Sequence, residues 1–270
     1  MKKVLSIILA AGLALGAVGC TSSKGGDTGK AKDDKTIVIG VSPVPHKEIV
    51  ETAKPLLEKE GYKVEIKEFT DYVLPNTALA DKELDANFFQ HVPFLKKTVE
   101  EKGLKLTYTV KVHLEPLGFY SKKIKDVNDI KNGAEIAIPN DPTNGSRALR
   151  LLETKGIIKL KDGEIVSKLD IVENPKNIKI TELDAPQLPR ALADVEGAVI
   201  NTNFALEGKL DPLKDALIIE AKDSPYANVL AVREDNKDSE KIKALSKALN
   251  SPEVKKFIEE KYKGVILPSF

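Results

Sequence analysis

Apolar and polar positions follow two different periods along this chain, and the two kinds of segment alternate. Short β-branched runs and every-second-residue patterns predict strands at 36–41, 62–69, 106–112, 117–120, 134–138, 179–183, 198–201, 217–220 and 228–232. Helical spacing predicts helices at 47–60, 76–84, 92–102, 146–155, 187–193, 238–249 and 253–262. Pro55 falls inside the first of these helices and predicts a kink or an early end.

The alternation of strands and helices indicates an α/β protein with largely parallel sheets. Residues 36–270 are too many for one small sheet and suit two lobes. In open α/β sheets ligands bind beyond the carboxyl ends of the strands, and with two lobes the cleft between them is the expected site.

The N-terminus has the pattern of an export signal. Two lysines precede an apolar run that ends in small residues, which predicts a signal peptide over 1–19. The run is short for a membrane-spanning helix. Ala17-Val18-Gly19-Cys20 resembles a bacterial lipobox, which implies cleavage before Cys20 and acyl chains on its thiol. Ordinary cleavage that leaves a free thiol is the alternative.

Residues 20–35 are polar, contain glycine and lack periodicity, so we expect a lipidated cysteine followed by a flexible tether. Cys20 is the only cysteine, which excludes an intrachain disulfide. The expected location is the cell membrane, with a lipid-anchored body facing outside the cytoplasm.

Composition and missing motifs disfavour several classes of function but do not identify one. The net charge of +1 and the absence of tryptophan disfavour nucleic-acid binding. The sequence lacks a G-x-S-x-G elbow and both glycine-rich phosphate motifs, so neither an enzyme nor a cofactor is indicated. The three histidines have no metal-ligand spacing, and we expect no metal site.

Polar segments follow several predicted strands, at 39–46, 85–91, 139–147, 201–203 and 224–228, and we read 85–91 as the loop between two helices. Arg147 falls in the first turn of the predicted helix 146–155. A guanidinium beside free helix N–H groups can hold a carboxylate, with Asn140, Asn144 or Ser146 as further donors. A plain turn with a capped helix is the alternative.

Seven longer sequence segments resemble those of one protein family. They are DYVLPN (71–76), DANFFQHVPFL (85–95), GFYSKKIK (118–125), IPNDPTNGSRALRLL (138–152), ENPKNIKITELDAPQLPRAL (173–192), AVINTNFA (198–205) and SPYANVLAVREDNKD (224–238). In this order, and over nearly all of 36–270, the chain resembles the methionine-binding lipoproteins, which are the substrate-binding proteins of methionine ABC importers.

The resemblance implies a two-lobed periplasmic-binding-protein fold, type 2-like, with the ligand in the interlobe cleft. We expect 36–116 plus 225–270 to form lobe I and 117–224 to form lobe II. The implied function is capture of L-methionine and its delivery to an ABC permease with a cytoplasmic ATPase, without catalysis.

The resemblance also implies eight ligand-binding residues: Tyr72, Phe89, His91, Glu115, Asn144, Arg147, Asn201 and Asn228. Arg147 would meet the methionine carboxylate with Asn144 nearby, and Glu115 would pair with the α-ammonium. Tyr72, Phe89 and His91 would line the thioether chain, and Asn201 and Asn228 would supply amides.

Each role has a structural alternative. Tyr72 and Phe89 could alternatively be core residues. Asn201 and Asn228 could form turns, and His91 could cap the helix that begins near 92. Phe88 is assigned to packing. We expect loss of Arg147 to weaken ligand binding greatly and folding little.

Three other functions stay open at this point. The ligand is alternatively D-methionine or a methionine-containing dipeptide. The protein is alternatively a surface lipoprotein, an adhesin or scaffold with a vestigial cleft. An exported hydrolase is the third alternative, although the nucleophile motifs are missing.

Overall fold

Strands and helices alternate through the part of the chain that the computed structural model describes, residues 35–270. The predicted signal peptide (1–19), Cys20 and the predicted tether up to residue 34 lie outside the described residues. The strands are β1 (Thr36–Val41), β2 (Lys63–Glu68), β3 (Ala86–His91), β4 (Leu106–Leu114), β5 (Gly118–Tyr120), β6 (Glu135–Pro139), β7 (Lys159–Leu160), β8 (Ile171–Glu173), β9 (Lys179–Leu183), β10 (Gly197–Ile200), β11 (Ala216–Ile219), β12 (Ala227–Arg233) and β13 (Leu267–Pro268).

The helices lie between these strands and at the end of the chain. They are α1 (Glu48–Lys59), α2 (Leu74–Ala80), α3 (Val92–Lys102), α4 (Pro142–Glu153), α5 (Leu188–Ala191), α6 (Thr202–Glu207), α7 (Pro212–Asp215), α8 (Glu240–Leu249) and α9 (Pro252–Tyr262). Within 35–270, none of them combines the length and the apolar character needed to cross a membrane.

Two mixed sheets carry the α/β fold. The larger has the strand order β13-β4-β12-β3-β1-β2, and the smaller has the order β11-β5-β10-β6-β9. In each, a parallel part (β3-β1-β2 and β10-β6-β9) is extended by antiparallel strands. The chain passes between the sheets twice, from β4 to β5 and from β11 to β12, so the body has two lobes.

The larger sheet takes its strands from 36–114 and 227–268, and the smaller from 118–219. The lobe limits of 36–116 with 225–270, and of 117–224, stay a prediction. Each sheet buries apolar residues of its own, such as Ile39 and Leu245 around the larger sheet and Ile138 and Leu149 around the smaller. Burying a side chain of this size contributes roughly 1.5–3 kcal/mol, so each lobe has a core to stabilise it.

Helix α4 begins earlier than the sequence pattern predicts. It starts at Pro142 instead of 146, because Asp141 is its N-cap and its carboxylate accepts the backbone N–H of Asn144 at 2.9 Å. Arg147 therefore lies in the second turn, and Asp141 already satisfies the helix end. The interpretation of this helix end as a free anion site beside Arg147 was wrong.

Segment 85–91, predicted as a loop between two helices, is also different. Its last six residues form β3, a strand in the middle of the larger sheet in which every residue is buried. A strand buried on both faces shows no alternation, which hid it from the pattern. Asn87 and Gln90 are accommodated because both bond to Asn76 of α2, at 2.6–2.9 Å.

Smaller differences concern element ends and short elements. Helix α2 covers Leu74–Ala80 rather than 76–84, and α1 continues through Pro55 without a break. The short helices α6 and α7 and the strands β7, β8 and β13 were not predicted. The predicted helix 253–262 is confirmed with its cap, since the Ser251 hydroxyl accepts the N–H of Val254.

We expect Asn76→Ala to lower the free energy of unfolding by about 1–3 kcal/mol, because it removes the donor to the buried Gln90 Oε1 and takes one acceptor from each of the Asn87 and Gln90 amide nitrogens. Urea unfolding measures the loss. Asn132→Ala is the matched control, since Asn132 is exposed and its side chain bonds only to Asn177 among the described residues. The control should change stability by less than about 0.5 kcal/mol. Equal losses in both variants would contradict the role of the buried network.

Candidate functional site

A cavity lies where strand ends of the two sheets meet. It is lined by Tyr72, Phe89, Gln90, His91, Phe94, Glu115, Asn144, Arg147, Asn201, Thr202, Asn203 and Asn228. All eight residues that the sequence analysis selected are in this set. The structure brings them together, and their roles toward a ligand remain a prediction.

The strands position these side chains from both sheets. His91 is the last residue of β3, and Glu115 follows β4 directly. Asn228 in β12 pairs in register with His91 on one side and His113 on the other. From the smaller sheet, Arg147 comes from α4 after β6, and Asn201 follows β10.

Arg147 is the buried cation of the cavity, with 4% of its surface exposed. Its Nε donates to Glu220 Oε1 at 2.8 Å, and its Nη2 donates to Glu220 Oε2 at 2.5 Å and to the backbone oxygen of Glu115 at 2.8 Å. The Tyr226 ring lies 4.2 Å from the guanidinium carbon. These bonds fix the guanidinium plane. Among residues 35–270 they use only Nε and Nη2 of Arg147, so Nη1 remains available to a further acceptor.

The pairing with Glu220 changes what Arg147 does for folding. The Glu220 side chain is only 13% exposed. Without Arg147 it would be a largely buried carboxylate that has lost its cation, which is strongly destabilising. The expectation that Arg147 matters little for folding therefore does not fit this geometry.

Glu115 is the buried carboxyl group beside it. Its Oε1 accepts from His113 Nε2 at 2.7 Å and lies 3.3 Å from His46 Nε2. Burial raises the pKa of Glu115, and the interactions with His46, with Arg147 and with the backbone N–H of Asn203 oppose that rise. A fixed cation and a fixed carboxylate thus adjoin the same cavity.

Asn144 links the two sheets across the cavity. Its Oδ1 accepts from His91 Nε2 at 3.0 Å and from Asn201 Nδ2 at 2.8 Å, and its Nδ2 donates to the Asp141 carboxylate. Neither of the two other donors considered from sequence lines the cavity. Asn140 is exposed and donates to Asp184, while the Ser146 hydroxyl accepts the N–H of Val166.

His91 has two functions at once. Its Nδ1 accepts the N–H of Phe94 at 3.1 Å, so the helix-cap alternative is confirmed for α3, and its other ring nitrogen must donate to Asn144. Burial, together with the nearby charge of Arg147, lowers the pKa of His91 to about 3. The ring is therefore neutral at physiological pH.

Aromatic rings form one wall of the cavity. The ring centroids of Tyr72, Phe89 and Phe94 lie 5.7–6.0 Å apart in each pair. The Tyr72 hydroxyl donates to Asn203 Oδ1 at 2.6 Å, which connects the wall to the smaller sheet's side. Phe88 points into the core of the larger sheet, as the sequence analysis expected.

Among the described residues, the buried amide oxygen Oδ1 of Asn201 has no hydrogen-bond partner. Buried polar atoms are normally paired, so this side of the cavity suits a ligand that carries a hydrogen-bond donor.

Sequence reasoning missed four lining residues, Gln90, Phe94, Thr202 and Asn203, and the partner Glu220. Glu220 and Asn203 end or follow predicted strands, and the rule that gathers ligand groups at strand ends selects both. Phe94 offered no signal, because an aromatic residue in the first turn of a helix is typical of packing.

Comparison with known proteins assigns the family. Residues 37–270 match the family model described as NlpA lipoprotein. The chain belongs to the NlpA lipoprotein family. It is 47% identical over 238 residues to the D-methionine-binding lipoprotein MetQ of Salmonella typhi, covering 86% of this chain and 88% of the relative.

Two solved structures are similar over nearly the whole body. A nutrient-binding protein from Burkholderia cenocepacia bound to methionine has a TM-score of 0.84 and 49% identity, covering 87% of this chain and 100% of that one. An ABC transporter periplasmic substrate-binding protein from Coxiella burnetii has a TM-score of 0.83 and 45% identity, covering 86% and 100%. The resemblance to the methionine-binding lipoproteins and the two-lobed fold are confirmed.

We expect the free energy of unfolding to fall as the pH drops from 7 to 5. Burial lowers the pKa of His46 to about 4 and those of His91 and His113 to about 3. The unfolded chain, with histidine pKa values of about 6.5, therefore binds more protons, and each histidine lowers the free energy of unfolding by about 2 kcal/mol over this range.

Two carboxyl groups act in the opposite direction. Burial raises the pKa of Glu115, and it raises that of Glu207 to about 7, so both favour the folded state as the pH falls. Three histidines outweigh two carboxyls, and urea unfolding at both pH values measures the net loss. Equal or greater stability at pH 5 would contradict three neutral buried histidines.

Proposed function

We propose that this protein is the lipid-anchored, extracytoplasmic binding component of an ABC importer, that it captures L-methionine in the cavity, and that it delivers the amino acid to a membrane permease driven by a cytoplasmic ATPase. The proposal joins three supports: the geometry of the cavity, the ligands and transport class that the relatives' names state, and the export signal with Cys20.

The observation that carries the proposal is the buried cation beside a buried carboxyl group. An α-amino acid is a zwitterion whose carboxylate and ammonium are held two bonds apart. Arg147 Nη2 lies 2.8 Å from the backbone oxygen of Glu115, both side chains line the cavity, and the charge of Arg147 lowers the pKa of the Glu115 carboxyl group, so the two groups are neighbours. The carboxylate would bind at Nη1 of Arg147, and the ammonium would bind at Glu115.

The aromatic wall suits the thioether side chain. Sulfur contacts with aromatic rings are worth roughly 0.3–1.5 kcal/mol each, and Tyr72, Phe89 and Phe94 present three rings together. Asn201 Oδ1 and Asn228 would complete the polar end, the first as an acceptor without a protein partner.

Binding without catalysis is part of the proposal. The twelve lining residues include no serine or cysteine nucleophile, and the hydroxyl of Thr202 donates to the backbone oxygen of Pro116. Lipid on Cys20 would hold the body at the outer face of the membrane, where an importer receives its substrate.

D-methionine is the second candidate ligand, because the Salmonella typhi relative is named for it. The two enantiomers share carboxylate, ammonium and thioether, so the same residues serve both. Calorimetry of the full-length protein in detergent with L-methionine, D-methionine and a methionine-containing dipeptide separates the candidates. We expect stoichiometric binding of L-methionine, and tighter binding of either other ligand would overturn the proposed specificity.

We expect Arg147→Ala to weaken L-methionine binding at least 100-fold, because the ligand carboxylate loses its buried cation. Arg150→Ala is the matched control. Arg150 lies one turn further along α4 and pairs with Glu153 near the surface, so its removal should leave the affinity within about twofold. Calorimetry at neutral pH measures both variants.

Folding must be controlled for because Arg147 also pairs with Glu220. Circular dichroism and urea unfolding show whether Arg147→Ala is folded under the conditions of the titration. Arg147→Lys provides a second variant that keeps the charge but loses the bidentate geometry, and it should bind more weakly than the parent. Full affinity in a folded Arg147→Ala protein would remove Arg147 from the site.

A further inference from the structure

We propose that His46 and His113 are positioning residues that hold the Glu115 carboxylate as an anionic acceptor for a substrate ammonium group, and that they thereby make the site selective for ligands with a free amino group. The inference rests on the proposed function, since it concerns the ammonium end of the same ligand. Neither histidine lines the cavity, and both act through Glu115.

The three side chains form one buried cluster. His46, His113 and Glu115 are exposed by only 1%, 0% and 6%. His113 in β4 precedes Glu115 by two residues, while His46 comes from the segment between β1 and α1. Both imidazoles turn Nε2 toward the same oxygen, Oε1 of Glu115. The distance is 2.7 Å from His113 and 3.3 Å from His46.

The hydrogen-bonding roles in this cluster follow from the chemistry of its members. An ionised carboxylate only accepts, so His113 Nε2 carries the proton and donates to Glu115. His46 Nε2 donates to Asn228 Oδ1 at 3.2 Å, so it also carries its proton, and this N–H lies 3.3 Å from the Glu115 carboxylate. The two Nδ1 atoms are buried without partners, and the rings lie edge-on to Phe88 at 4.7 and 5.2 Å.

A second proton on either ring would be costly. It would place a charge and an unpaired N–H in apolar surroundings, and the two rings are only 4.9 Å apart. Burial accordingly lowers the pKa of both histidines. Neutral donors stabilise the anionic form of Glu115 without cancelling its charge, and the charge remains for an ammonium ion.

Metal coordination is a poorer account of the same three residues. Their donor atoms lie within 4.8 Å of one another. Two ligands of a tetrahedral zinc, each about 2.0–2.1 Å from the metal, lie about 3.3 Å apart. The 2.7 Å between His113 Nε2 and Glu115 Oε1 is shorter and is a hydrogen-bond length.

The titratable and charged groups around Glu115 set its pH response. Besides the bonded His113, they are His46, Arg147, Tyr72, Glu207 and Tyr262. Burial pushes the pKa of Glu115 up, while His46 and Arg147 oppose this. When the pH falls and Glu115 gains a proton, the ammonium loses its partner, so ligand affinity should decrease on the acid side. Removal of an imidazole donor should move that decrease to higher pH.

The test compares two ligands on full-length protein in detergent. One is L-methionine, and the other is 4-(methylthio)butanoate, which keeps the carboxylate and thioether but lacks the amino group. We expect His113→Phe to weaken L-methionine binding at least tenfold and to shift its acid limb upward, with a much smaller effect on 4-(methylthio)butanoate. His113→Gln retains an N–H donor and should recover most of the loss. His46→Phe and His46→Gln should repeat the pattern.

A measurement on the unsubstituted protein covers the case in which variants do not fold. Nitrogen-15 NMR of the histidines should show the neutral Nε2–H tautomer for both His46 and His113 from pH 7 to pH 5. An imidazolium or an Nδ1–H tautomer of either ring in this range would overturn the inference.

The outcomes separate the inference from the proposed function. Unsubstituted protein that does not bind L-methionine contradicts the proposed function, whatever the tautomers are. Methionine binding with equal losses for both ligands in His113→Phe, or with no loss, contradicts the positioning role. Stoichiometric zinc binding that His113→Phe abolishes would assign the cluster to a metal instead.

Discussion

The cavity depends on a buried arginine that is held by a carboxylate and a backbone oxygen of its own chain. The Glu220 carboxylate accepts two hydrogen bonds from the guanidinium, and the backbone oxygen of Glu115 accepts a third. Arg147 is thus fixed by its own chain. A buried charge that is already paired and oriented loses little freedom on binding, so it can hold a carboxylate tightly. The same pairing ties the site to the stability of the fold, because neither partner tolerates loss of the other.

Bonds across the cleft extend this arrangement. His91 at the end of β3 bonds to Asn144 in α4, and Tyr72 just before α2 bonds to Asn203 in α6. Both amides lie near the start of their helix. Separation of the lobes would break both bonds, and these residues also line the cavity. Opening of the cleft and reorganisation of the binding surface are therefore one event.

Much of the fold and of the site could be predicted from the sequence, because helices, strands and strand-end residues are indicated by local sequence patterns. Strand β1 and helix α3 have the predicted bounds, and the polar residues at strand ends converge as the sheet geometry requires. What sequence could not provide was the partner of each group. β3 was hidden because both its faces are buried. The Asp141 cap starts α4 at Pro142, four residues before the predicted start. Glu220 lies 73 residues from Arg147, and only the folded chain brings them together.

The two ends of the proposed ligand are treated differently by the protein. At the carboxylate end, Arg147 keeps its charge at every physiological pH, so its contribution is constant. At the ammonium end, Glu115 is a buried acid whose charge depends on neutral neighbours and on one distant-in-sequence cation. Selectivity for an amino group therefore rests on the weaker half of the site. Two histidines that never touch the ligand would then decide which carboxylic acids with a thioether are accepted.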